Sequence, residues 1–72
     1  MNAATFLKIA NLPIRVVEVD RFGGLAVMPV EVGTPRERKA LFERFAAAAR
    51  ANGLRVTGRG PVVWKVNGLR NE

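Results

Sequence analysis

The sequence predicts an α+β fold of order β-β-α-β-β. A small antiparallel or mixed four-stranded sheet carries one amphipathic helix on one face, with a further short helix at the N-terminus. Three observations lead there: a central stretch with both a helix start and a helix stop, valine-rich segments on either side of it, and glycine-centred turns inside each flanking pair. At the N-terminus Asn2 is placed to cap a helix on which Ala3, Phe6, Leu7 and Ala10 form one apolar stripe. Thr5 to Ala10 also fits a strand, and the helix is the reading carried forward. Ile14 to Asp20 and Leu25 to Val32 read as a hairpin closed by Arg21-Phe22-Gly23-Gly24. Pro29 cannot donate a ladder hydrogen bond, which predicts that its strand lies at an edge or carries a bulge.

Thr34-Pro35-Arg36-Glu37 is a helix start: a capping threonine, proline at the first helical position and glutamate placed to complete a capping box. Asn52-Gly53 is the stop, because glycine tolerates the left-handed conformation just past a helix. Between them Leu41, Phe42, Phe45, Ala48 and Ala49 recur at helical spacing, with Arg36, Lys39, Glu43 and Arg50 on the other side. Leu54 to Thr57 and Val62 to Val66 form the second strand pair, joined by Gly58-Arg59-Gly60-Pro61. Strand alternation then points Leu54, Val56, Val62, Trp64 and Val66 toward the helix and Arg55, Thr57, Val63 and Lys65 away from it.

Seventy-two residues without a linker or repeat make a single domain, residues 1–72, with one modest core. No cysteine is present to staple it, so nothing argues for secretion. Met1 to Leu12 has no basic, apolar leader pattern, and no run is long enough to span a bilayer. The expectation is a soluble protein of the cytoplasm.

Charge is the most informative part of the composition. Twelve basic side chains stand against six acidic ones, a net +6, and nine of the twelve are arginine, which suits bidentate contacts to carboxylate or phosphate. Arg55, Arg59 and Lys65, with Arg70 in the tail, give the second hairpin a basic outer face on which almost no acid lies. Arg36, Arg38 and Lys39 crowd the start of the helix, where the positive end of the macrodipole makes each cation unfavourable by a few tenths of a kcal/mol on the order-of-magnitude scale of such effects. A helix start crowned in this way is a candidate anion site, although Glu37 could also absorb part of that charge. Phe22, next to Arg21 at a hairpin tip, is either folded onto the core or offered to a partner. Trp64 has core parity and is read as packing rather than as a stacking platform.

The inventory argues against an enzyme. With no histidine and no cysteine, metal sites built on those residues and thiol or imidazole chemistry are excluded. Glu18 and Asp20 share one strand face, but residues two apart on an open strand form no cleft, and they are expected to oppose cross-strand arginines. Neither glycine turn has the lysine-serine/threonine ending of a phosphate loop. No catalytic, cofactor-binding or metal-binding residue is assigned, and no cofactor is expected.

In its small size, single helix on a short sheet, lack of a catalytic set and Arg/Ala/Gly/Val-rich texture, the chain resembles the accessory proteins carried by phages and other mobile elements, of which anti-CRISPR proteins are the best-known group. The resemblance spans the whole chain without a diagnostic motif. It implies a stoichiometric inhibitor, active in the host cytoplasm, that docks on an effector complex and blocks target nucleic-acid binding. Many such inhibitors are acidic mimics of DNA, which a strongly basic chain cannot be. The expected partner is therefore an acidic protein surface or a nucleoprotein complex, contacted through Arg55, Arg59, Lys65, Arg36, Arg38, Lys39, Arg21 and Phe22. Direct nucleic-acid binding through phosphate contacts is the alternative, with no membrane partner and a monomer or weak homodimer as the assembly.

Overall fold

In the computed structural model, which describes residues 1–70, the chain runs α1 (Ala3–Ala10), β1 (Ile14–Val19), β2 (Gly24–Pro29), α2 (Pro35–Ala51), β3 (Arg55–Arg59) and β4 (Trp64–Asn67). The strands form one antiparallel sheet in the order β1-β2-β4-β3. The predicted α+β class and element order are thus present, and the first residues are helix, not strand.

Capping explains where the helices begin and end. Asn2 Oδ1 accepts from the Thr5 N–H at 2.9 Å, and Asn11 ends α1 in the left-handed region at φ 48°. Eight residues are too few to hold a helix in water unaided. What holds α1 is Phe6, fully buried with its ring edge-on to Phe45 at a centroid distance of 5.9 Å. Ahead of α2 the Thr34 hydroxyl accepts from the Glu37 N–H at 3.1 Å and donates to Glu37 Oε1 at 3.0 Å, a cap of the kind that contributes about 1 kcal/mol. At the other end the Asn52 side-chain amide donates to the Ala48 carbonyl at 2.8 Å, and Gly53 turns the chain at φ 76°.

The core lies between α2 and one sheet face. Leu41, Phe45 and Ala49 from the helix meet Leu25, Val27, Trp64 and Val66 from the two central strands. Phe42 and Ala48 from the predicted stripe are half-buried at its margin. Among the described residues no helix covers the other face of the sheet. Leu69, beyond the last strand, also belongs to the core, because the N–H groups of Gly68 and Leu69 both donate to the Gly23 carbonyl at 3.1 Å and fold the tail inward. Arg70 N–H donates to the Met1 carbonyl at 2.8 Å, so this tail also ties down the N-terminus.

Several expectations about the sheet are corrected. β2, which ends in Pro29, is an interior strand without a bulge. Proline is tolerated there because β4 pairs with β2 only as far as Val27, so no ladder remains on that side for the missing N–H to break. The bulges fall elsewhere, at Val17 in β1 and at Thr57 in β3. β4 begins at Trp64, not Val62; Val62 precedes it and is exposed, while Val63, expected to point outward, is half-buried. Glu18 lies opposite Ala26, not an arginine. Asp20 is occupied in the hairpin turn, where Oδ1 accepts from the N–H groups of Phe22 at 2.7 Å and Gly24 at 2.8 Å.

Candidate docking surface

The register of the sheet decides where each cation goes. Without a bulge, Arg59 would share a face with Arg55 and Thr57. Thr57 is an extra residue, so Val56 pairs with Val66, Gly58 with Lys65 and Arg59 with Trp64. Arg59 therefore leaves the outer face to which the sequence assigned it and joins the helix side. Its guanidinium stands over the Phe42 ring, 5.3 Å from the centroid, a cation–π contact worth about 0.5–1 kcal/mol at such an exposed site.

That displacement builds a site the two predicted clusters did not foresee. Arg59 comes to the N-terminal end of α2, where Arg38 and Lys39 line the same shallow recess, floored by Phe42 and the edge of Trp64. Pro35 and Gly60 complete its rim. Trp64 is itself buried, packed on Phe42 at 5.2 Å and Phe45 at 5.8 Å, so the floor is part of the core's aromatic cluster. Arg38 is half-buried and also borders the neighbouring hollow, which Glu31 lines together with Pro61 and Val62. Arg36 extends the charge along the exposed start of the helix. Among the described residues none of Arg36, Arg38, Lys39 and Arg59 pairs with a carboxylate. Glu37, the nearest acid in sequence, is held by the Thr34 hydroxyl.

The remaining predicted residues lie elsewhere. Arg55 and Lys65 occupy the uncovered sheet face, where β1 brings Glu18 and Asp20 into the same shallow hollow as Lys65 and Thr57. The second hairpin itself carries no acid, as its sequence shows, but the acids on this face come from a strand distant in sequence. Lys65 lays its stem across Gly58, where an added Cβ would stand 3.1 Å from the Lys65 Cβ. Arg21 and Phe22 sit at the opposite end of the sheet, since the β1–β2 turn adjoins Asn67 at the end of β4 while Arg59 pairs with Trp64 at its start. Phe22 is 78% exposed with the Arg21 guanidinium 5.4 Å from its ring centroid, so the ring is not folded onto the core.

No group of three acidic, histidine or cysteine side chains among the described residues could hold a metal ion, and none of their helices is long and apolar enough to cross a membrane. Comparison with protein-family models, with curated proteins and with solved structures returned no match.

Proposed function

We propose that the chain is a non-catalytic docking module whose cationic end seats on an acidic protein surface and acts by occlusion, as a stoichiometric inhibitor of a nucleic-acid effector complex of the kind the anti-CRISPR resemblance implies. The observation that carries this reading is the convergence of Arg38, Lys39 and Arg59, unpaired with any carboxylate among the described residues, on a packed aromatic floor. Two arginines and a lysine around an apolar recess offer an acidic side chain both charge and a partly dry setting in which charge-assisted hydrogen bonds strengthen.

Direct nucleic-acid binding has weaker support. Base stacking needs open aromatic faces, yet Trp64 is buried and the Phe42 ring is covered by Arg59. The uncovered sheet face bears no aromatic residue among those described and mixes Lys65 and Arg55 with Glu18 and Asp20.

The test adds purified protein to RNA-guided effector complexes and follows binding of their target duplex. Wild type should abolish target binding at a molar ratio near unity. The variant carrying Arg38→Gln, Lys39→Gln and Arg59→Gln should need at least about tenfold more protein, while Arg55→Gln with Lys65→Gln should match wild type. Tight binding of the free duplex by wild type, falling log-linearly with salt, would replace this reading with the nucleic-acid one.

A further inference from the structure

The two edges of the sheet are not alike. β3 is defended by charge: Arg55 and Arg59 are both exposed along it with no acid on the strand, so a second β3 would meet like charge. β1 is not. Along it Val16, Val17 and Val19 are 41%, 50% and 52% exposed, and its only charges are one arginine and one glutamate, Arg15 and Glu18. Three positions apart on a regular strand, those two side chains would point to opposite faces. The bulge at Val17 changes that, pairing Arg15 with Met28 and Glu18 with Ala26, so both emerge on the uncovered face. Ile14 and Val19, opposite Pro29 and Leu25, both turn to the helix side.

We propose that two copies of this chain pair antiparallel through β1, about a two-fold axis between Val16 and Val17, forming one continuous sheet. In that register Arg15 of each copy stands opposite Glu18 of the other, giving two complementary charge pairs on the uncovered face. Ile14 meets Val19 of the second copy on the helix side, and the exposed valines at the axis cover one another. The strand is self-complementary only because of its bulge; within one chain Arg15 Nη2 contacts Met28 Sδ of β2 at 3.5 Å, a contact that Arg15 exchanges for Glu18 of the second copy on pairing. Antiparallel pairing sends the two Arg59 recesses to opposite ends of the dimer, which makes it bivalent for an acidic partner. The pairing itself does not depend on what those recesses bind.

Charge reversal tests it. Sedimentation of wild type at about 100 µM should show a dimer. Arg15→Glu alone sets carboxylate against carboxylate in both cross-strand pairs, and Glu18→Arg alone sets guanidinium against guanidinium, so each should weaken self-association at least about tenfold. Mixed in equal amounts, the two variants should form a heterodimer of near wild-type affinity, because one chain then carries two acids and the other two bases at the axis. A monomeric wild type, or reversals that still self-associate, or a mixture that stays monomeric would each overturn the proposal. Should a reversal unfold, amide exchange on wild type decides: β1 amides should exchange more slowly as concentration rises, and exchange independent of concentration would refute the pairing.

Discussion

Phe45→Ala is expected to remove about 3–5 kcal/mol of stability, which for a chain of this length is a large part of the total of roughly 4–11 kcal/mol. Phe45 is fully buried on α2, and its ring is where three elements meet: Phe6 of α1 edge-on at 5.9 Å and Trp64 of β4 tilted at 5.8 Å. Truncation leaves a void that neither aromatic neighbour can fill without abandoning the other. α1, with Phe6 as its single fully buried anchor, should fray first. Urea unfolding followed by far-ultraviolet circular dichroism would show the loss as a lower midpoint together with reduced native helicity. A midpoint within about 1 kcal/mol of wild type would mean that the aromatic cluster does not hold α1 to the sheet.

Gly23→Ala is the second large effect, at about 2–4 kcal/mol, and it combines two costs. At φ 89° the backbone lies where side chains are disfavoured, and a Cβ would stand only 2.6 Å from the Leu69 carbonyl oxygen. The tail cannot retreat freely, because Gly68 and Leu69 both donate to the Gly23 carbonyl and Leu69 is core. Gly53→Ala separates the terms. Gly53 has a similar φ of 76° with nothing within 4 Å of its would-be Cβ, so that variant should lose only about 1 kcal/mol. Equal losses at the two positions, measured by urea unfolding, would show that the docking of the tail on the hairpin turn adds nothing.

Much of this fold is written locally. Asn2, Thr34, Pro35, Asn52 and Gly53 mark the helix ends by chemistry that acts within a few residues, and those signals were legible. Strand pairing is another matter, since a bulge depends on how two segments distant in sequence fit together. Thr57 is an ordinary strand residue; the signal lies in its neighbour Gly58, a glycine inside a strand, which the sequence reading assigned to the turn instead. Missing that one residue misplaces Arg59 by a whole face and divides a single cationic site into two. The burial of Leu69 was hidden for a related reason: it follows the last strand and is pulled in by a turn far away in the chain. Of the helix-start cations read from helix position alone, Arg38 and Lys39 line the recess and Arg36 does not.

The same logic explains why the Arg55 and Lys65 face is electrically mixed. Parity put both residues on the side away from the helix, and there they are. Alternation within one hairpin cannot report what the next strand brings, and β1 brings Glu18 and Asp20. A surplus of +6 therefore resolves into one concentrated end and a dispersed remainder, and the concentrated end is where a partner would gain most from contact.

The location of that contact is the central claim, and chemical-shift mapping of the ¹⁵N-labelled protein against a glutamate-rich peptide tests it most directly. The backbone amides of Arg38, Lys39, Arg59 and neighbouring Gly60, with the guanidinium groups of Arg38 and Arg59, should shift together and saturate with a single affinity that weakens with salt. Shifts centred instead on Arg55 and Lys65, or on Arg21 and Phe22 at the far end, would contradict it.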